Sequence, residues 1–140
     1  MQAVGTWKSG YESVVTDDHA HAVTVDLPID EGGRSAGPSA LGLTLLSLAG
    51  GLTTVFAQVA HKRHLAYQAL TVALEAERPE GSTTIARVHG TLRIRTRAEP
   101  AEVEAALRFA VRACPVAAIF ERAGIPVDVA SMIVAPAGSA

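Results

Sequence analysis

The feature that most constrains this chain is a stretch of twenty residues, 41–60, without a charged side chain. A helix that is apolar nearly all round is buried in a protein core or in lipid, and twenty residues are enough to span a bilayer. Eight of the twenty are Gly, Thr, Ser or Gln, and stretches typical of soluble strands precede and follow them. We therefore expect a buried core helix and no membrane partner, with a membrane span as the alternative.

The same stretch carries two stripes at helical spacing. Ser39 is the expected N-cap, and the basic residues 61–64 follow at the end where the helix dipole is negative. The first stripe is bulky and apolar, whereas the second is mostly small or polar. The bulky stripe consists of Leu41, Leu45, Leu48, Leu52, Val55 and Val59, and the second of Ser47, Gly51, Thr54 and Gln58.

The remaining pattern predicts strands on both sides of this helix. Val- and Thr-rich stretches predict strands over residues 11–16 and 22–27, and a weaker strand is expected before them at 3–8. Pro28 ends these strands, and residues 30–39 are expected to form an irregular loop. Beyond the helix the pattern predicts two strands joined by a turn at 78–82, an amphipathic helix, a short helix after Pro115 and a last strand. Their ranges are 70–77, 92–97, 99–113, 116–123 and 125–129. Residues 135–140 are expected to form a flexible tail.

Charged residues alternate with apolar ones on the two strands after the helix. Paired antiparallel, these strands can place an acidic row opposite a basic row on a solvent face. Arg93, Arg95 and Arg97 are also compatible with a nucleic-acid patch, but Glu75 and Glu77 favour the solvated face. We expect no nucleic-acid partner.

Composition limits the classes of protein that the chain can belong to. Its 140 residues, 49% of them apolar, suit one folded domain, expected over residues 1–134. Twelve basic residues against 14 acidic ones give a net charge of −2, so no overall field attracts a polyanion. Because only 4% of residues are aromatic, the core relies on small aliphatic side chains and gains from a second subunit. The N-terminal residues lack the pattern of a signal peptide, which predicts a cytoplasmic protein.

No metal or cofactor is expected. His19 and His21 alternate on one strand and His61 and His64 share a helix face, so two pairs could converge on zinc, but nothing else in the sequence supports such a site. A single cysteine, Cys114, excludes an intrachain disulfide and a thiolate metal cluster. The chain contains no phosphate loop, dinucleotide motif or Ser-His-Asp order.

Several short motifs in a fixed order resemble the OsmC/Ohr family over residues 9–129. They are residues 21–28, the glycines at 32, 33 and 37 before Pro38, the apolar helix at 41–65, Cys114-Pro115-Val116 and Ile125-Pro126-Val127. The resemblance implies an α+β fold in which antiparallel sheets pack around a long buried central helix. It also implies an intertwined homodimer with active sites at the subunit interface. Many members reduce hydroperoxides with two cysteines, which dihydrolipoyl or other thiols reset.

The chain departs from this family pattern at the position of the first cysteine. In many members that cysteine follows an Ala-Gly or Gly-Gly pair, which places Gly51 in the attacking position, and the second cysteine matches Cys114. The glutamate that the family's peroxidases carry falls at residues 40–42, which read Ala-Leu-Gly, and the only arginine before the helix is Arg34, in a loop. Because glycine cannot form a sulfenic acid and one cysteine cannot close an intrachain disulfide, the two-cysteine cycle is not available to this chain.

Two functions are compatible with this departure. The first is a non-peroxidatic binding or interaction protein. In this case the space freed beside Gly51 binds a small apolar molecule, or the partner subunit fills it. The expected pocket residues are Gly51, Leu48, Thr54, Gln58 and Cys114.

The second function is a thiol-dependent, peroxiredoxin-like hydroperoxide reductase of oxidative stress defence, with Cys114 as its only catalytic residue and an organic hydroperoxide as substrate. Helical N–H groups after Pro115 would favour the thiolate. A buried structural cysteine that continues the apolar face of Val103 and Ala110 is the alternative interpretation of Cys114.

Overall fold

The computed structural model describes residues 1–138 and has the predicted α+β architecture. Two compact units, residues 1–44 and residues 45–140, divide the chain within the long helix. The first unit contains β1 (Ala3–Ser9), β2 (Glu12–Asp17), β3 (Ala22–Val25), a single 3-10 turn (Ile29–Glu31) and the start of α1 (Ala40–Lys62). The second contains the rest of α1, then β4 (Ala69–Glu77), β5 (Arg87–Arg95), α2 (Pro100–Ala113), α3 (Pro115–Arg122) and β6 (Val127–Val134).

The expected domain limits stay a prediction. One domain over residues 1–134 is expected from the sequence, and β6 ends at Val134, at the start of the expected flexible tail. Residues 139 and 140 of that tail lie outside the described residues.

A three-stranded antiparallel meander forms the sheet of the first unit. The middle strand is β2, and its Val15 lies opposite Gly5 of β1 and Val23 of β3. The three strands predicted for this region are confirmed. Strand β3 ends at Val25, two residues before the predicted end, because the chain turns into a loop at Asp26.

Asp26 organises this loop. Its side chain is buried, and its carboxylate accepts backbone N–H hydrogen bonds from Leu27 (2.8 Å), Arg34 (3.0 Å) and Ala36 (3.2 Å). Burial raises the pKa of Asp26, but the three N–H donors and the charge of Arg34 outweigh this effect and hold the pKa below its ordinary value. The ionised carboxylate therefore closes the loop against the end of β3.

Two glycines let the loop approach the backbone of β3 and of the residues just after it. A Cβ on Gly33 would lie 1.9 Å from the carbonyl oxygen of Leu27, and a Cβ on Gly37 would lie 2.0 Å from that of Thr24. No side chain fits at either position unless the backbone moves. These contacts explain Gly33 and Gly37, two of the three glycines that precede Pro38 in the sequence motif.

The sheet of the second unit is mixed. Its middle strand is β5, which pairs antiparallel with β4 and parallel with β6. The expectation of antiparallel sheets is therefore wrong for the β5–β6 pair. Because α2 and α3 lie between these strands, the chain can return to the same end of the sheet, as a parallel connection requires. Strand β6 begins two residues after the predicted start and continues to Val134.

The charges on β4 and β5 pair differently from the prediction. Strand β4 ends at Glu77 and β5 begins only at Arg87, so the connection between them is longer than the predicted turn. Glu77 and Arg87 lie opposite each other in the sheet. Glu75 lies opposite His89. The acidic row therefore faces the start of β5, and Arg93 and Arg95, farther along β5, face small residues of β4.

Helix α1 buries one face only. Phe56 and Val59 belong to a hydrophobic cluster with Leu92 of β5 and residues of α2. On the opposite face Leu46 is 55% exposed, and 17% of the most apolar stretch of the helix is buried. The expectation of a buried helix is thus met by one face of α1. Among the described residues, α1 is the one helix that is long and apolar enough to cross a membrane, a test that core helices of soluble proteins also pass.

We predict that Asp26→Asn lowers the free energy of unfolding at pH 7 and that this loss shrinks in acid. Because folding lowers the pKa of Asp26, its anion stabilises the fold above the unfolded-state pKa of about 4, and the contribution is lost as pH falls through the folded-state pKa. Denaturant titrations of both proteins between pH 7 and about pH 3 measure the difference. Asp30→Asn is the matched control, since Asp30 is exposed. Equal stability of the wild type and D26N at pH 7 would contradict the role of Asp26.

Candidate functional site

The structure brings Gly51 and Cys114 into contact. Gly51 lies in the middle of α1, and Cys114 lies between α2 and α3. An ideal Cβ on Gly51 would lie 3.1 Å from Cys114 Sγ and 3.3 Å from Val116 Cγ2. All three residues belong to the second unit. The two positions that the sequence singled out are therefore neighbours, although 63 residues of chain numbering separate residues 51 and 114.

Helix ends hold Cys114 in place. Cys114 is the C-cap of α2 and the N-cap of α3, with extended backbone angles (φ −71°, ψ 118°). Its N–H donates to the carbonyl of Ala110 (2.9 Å), and its own carbonyl accepts from Ala118 (3.0 Å). Pro115 starts α3, where its missing N–H costs no helical hydrogen bond. Both helices thus fix the backbone that carries the thiol.

The surroundings of Cys114 are those of a packed core side chain. Its exposed fraction is 0%, and its Sγ makes no capping hydrogen bond to the N–H groups that begin α3. Catalytic cysteines need access for their substrate and a partner that favours the thiolate. The structure provides a buried position without such a hydrogen bond, which favours the structural interpretation of Cys114.

The five expected pocket residues differ in their exposure. Leu48 is fully buried, whereas Thr54 and Gln58 are exposed on the other side of α1. The expected free space beside Gly51 is occupied within the chain, because Cys114 and Val116 close on the glycine. A binding surface that includes Thr54 and Gln58 would therefore lie on the exposed face of the helix.

Val116 is a neighbour of Gly51 that lies outside the five expected pocket residues. It belongs to the motif Cys114-Pro115-Val116 and lies in the first turn of α3. Its position directly after a Cys-Pro pair at a helix start is the signal that could have identified it. A residue in the first turn lies close to the N-cap residue, and hence to whatever the N-cap side chain contacts.

Arg34, the only arginine before α1, is engaged within the first unit. Its guanidinium forms an ion pair with Glu12 and donates to Ser9 Oγ (3.3 Å), and its backbone N–H binds Asp26. This arginine joins the loop to β1 and β2. Its geometry gives it a structural role.

The histidines do not gather around a metal position. His21 Nδ1 lies 2.7 Å from Asp17 Oδ2, and this hydrogen bond is the main cause that lowers the pKa of Asp17. His61 and His64 are exposed at the end of α1. No group of three or more His, Cys, Asp or Glu side chains in residues 1–138 is arranged to hold a metal ion.

Comparison with known proteins identifies the fold. The family model described as OsmC-like protein matches residues 32–130. No curated protein sequence matches the chain.

Solved structures of similar fold cover nearly the whole chain. An OsmC-like protein from Mycoplasma pneumoniae is 14% identical, with a TM-score of 0.83 over 95% of this chain and 96% of that chain. An organic hydroperoxide resistance protein OsmC from Legionella pneumophila is 20% identical, with a TM-score of 0.73 over 96% of this chain and 98% of the other. An organic hydroperoxide resistance protein from Elizabethkingia anophelis is 18% identical, with a TM-score of 0.73 over 93% and 94%. At these identities the likeness establishes the fold.

We predict that Cys114 of the folded wild-type protein reacts with a thiol reagent about 100-fold or more slowly than in denaturant, because the buried sulfur becomes accessible only when the structure opens. Stopped-flow labelling with an aromatic disulfide, with and without guanidinium chloride, gives the two rates. Labelling of the folded protein as fast as that of a free thiol would instead support a reactive Cys114.

Proposed function

Because this chain belongs to the OsmC-like protein family, we propose that it is a member that has lost the two-cysteine peroxidase site and acts as a homodimeric binding or interaction protein. In this proposal, Gly51 occupies the position of the family's first cysteine, and Cys114 corresponds to the second. We place the protein in the cytoplasm. The observation that carries the proposal is the distance between these two positions.

The Gly51–Cys114 geometry is that of a disulfide without its first sulfur. In a disulfide, the Cβ of one cysteine lies about 3 Å from the sulfur of the other, because the S–S bond is about 2.05 Å long. An ideal Cβ on Gly51 lies 3.1 Å from Cys114 Sγ. This agreement supports the correspondence of Gly51 with the attacking cysteine, since a cysteine there could bond to Cys114.

Without a sulfur atom at position 51, the chain cannot carry out the two-cysteine peroxidase cycle. Peroxide reduction by two cysteines needs a thiolate that becomes a sulfenic acid and a second thiol that condenses with it and releases water. Gly51 has no side chain to oxidise, and Cys114 is the single cysteine of the chain. Its complete burial also argues against the alternative function, a hydroperoxide reductase that uses Cys114 alone.

The exposed face of α1 supports a homodimer. An apolar helix of 23 residues that buries only one face leaves side chains such as Leu46 in water. A second copy of the chain, packed helix against helix, would cover that face. Thr54 and Gln58 lie on the exposed part of the helix. We place the surface for a small apolar ligand beside them, completed by the partner.

Gly51→Cys is predicted to form an intrachain disulfide with Cys114 on mild oxidation. Closing a loop of about 60 residues would stabilise the oxidised variant by about 4 kcal/mol in the chain-entropy model. Mass spectrometry after thiol alkylation detects the bond, and thermal unfolding with and without reductant measures its effect.

Gly50→Cys is the matched control for that experiment, because a Cβ on Gly50 has no neighbouring atom within 4 Å. Its thiol is expected to stay free of Cys114. A G51C protein that keeps two free thiols, or a G50C protein that bonds to Cys114 equally well, would remove the geometric basis of the proposal.

We also predict that Leu46→Glu weakens the dimer, raising its dissociation constant about tenfold or more, because a carboxylate would be buried at the contact between the two helices. Sedimentation of the wild type and the variant over a concentration series measures the constant. Ile119→Glu makes the same change at an exposed apolar side chain of α3, outside the expected contact. A monomeric wild type, or dissociation caused equally by I119E, would contradict the helix-to-helix dimer.

A further inference from the structure

A cleft of about 600 Å³ opens in the second unit, away from Gly51 and Cys114. Its wall is formed by residues 63–68 between α1 and β4, residues 95–98 at the end of β5, Glu102 in the first turn of α2, and Pro136 after β6. The lining residues with charged or ring side chains are Arg63, His64, Tyr67, Arg95, Arg97 and Glu102. Clefts of roughly 300–1,000 Å³ are the size that small-molecule ligands occupy.

The charge of this cleft is strongly positive. Three arginines face one carboxylate, Glu102, whose oxygen already accepts the backbone N–H of Glu99 as part of the cap of α2. Within residues 1–138, none of the three guanidiniums has an ion-pair partner. Among residues 1–138, Arg34, Arg87 and Arg108 are each paired with a carboxylate, whereas the other arginines, inside and outside the cleft, are not. A concave site with unneutralised guanidiniums attracts anions.

The arginines that line the cleft come from different elements. Arg95 is half-buried at the end of β5, opposite Ala69 of β4 and Val134 of β6, which leave it room and offer no carboxylate. Arg63 lies with its guanidinium 5.8 Å from the ring centre of Phe109, a contact that restricts its position. The cleft therefore has two arginines placed by different elements.

His64 also lines the cleft. It has a positive φ of 56° at the end of α1, and Leu65 N–H binds the carbonyl of Ala60 (2.9 Å) as the helix terminates. Glycine is the usual residue at such a left-handed position. The chain has histidine there, one of the residues other than glycine that adopt this conformation more often, and His64 lines the cleft.

We propose that this cleft binds the phosphate group of a small organic phosphate ester. Guanidinium groups present planar N–H pairs that match phosphate oxygens. Because the cleft is much larger than a phosphate ion, it also accommodates an organic portion, for which Tyr67 offers an aromatic face. The concave shape suits a small molecule, whereas a nucleic-acid backbone is contacted across an extended surface.

Calorimetric titration of the full chain with phenyl phosphate and with inorganic phosphate, at low salt, tests this site. We expect saturable binding, tighter for phenyl phosphate than for inorganic phosphate. Arg95→Gln is expected to raise the dissociation constant for phenyl phosphate about tenfold or more. His64→Gly should also weaken the binding of phenyl phosphate. The variant should keep its thermal stability, because glycine adopts the left-handed backbone conformation without strain.

Arg122→Gln is the matched control, because it removes one positive charge at the end of α3, outside the cleft. No saturable binding of either phosphate would overturn the proposal. The proposal would also be overturned if R122Q lost as much affinity for phenyl phosphate as R95Q, because the effect would then be one of overall charge. Binding of single-stranded DNA alone, with no response to phenyl phosphate, would overturn it in favour of a polyanion surface.

Discussion

Helix α1 touches the junction of α2 and α3 at Gly51, and in our proposal the residue at this contact decides whether two-cysteine chemistry is available. Glycine in a helix interior costs about 1 kcal/mol relative to alanine. At Gly51 the neighbouring atoms, at 3.1 and 3.3 Å from an ideal Cβ, leave tight room for a methyl group. Glycine at position 51 therefore allows α1 to pack closely against Cys114 and Val116. Nothing in the structure explains glycine at position 50, where a side chain would meet open space.

In our proposal, glycine at this contact leaves an OsmC-like fold with a single buried thiol. Cys114 is fixed by the ends of two helices and packs against α1. Its sulfur fills space that a larger side chain at position 51 would also need. The cysteine is thus retained as a small apolar core residue in our proposal, and binding, by α1 and by the basic cleft, takes the place of redox turnover.

Local features of the sequence predicted most of the fold, because periodicity and helix ends depend on neighbouring residues. The long apolar helix, the amphipathic α2 and the break at Pro115 are examples. Properties set by distant residues were not accessible. The parallel β5–β6 pair depends on where two helices return the chain, and the strand register depends on the length of the connection after Glu77.

The candidate site shows the same limit. The juxtaposition of Gly51 and Cys114 was expected from a family resemblance, but the closure of the glycine by Val116 required three-dimensional packing. The basic cleft was missed because Arg63 and Arg95 come from different elements, and their sequence positions suggested a helix end and a solvated strand. Only the register shows that Arg95 has no acidic neighbour on β4.

The most direct test of the central claim is the consumption of an organic hydroperoxide by the wild-type protein at micromolar concentration with a dithiol reductant. A glycine at position 51 and a buried Cys114 predict a rate equal to that of the dithiol alone. Sustained turnover above that rate, abolished by Cys114→Ser, would contradict the loss of peroxidase chemistry.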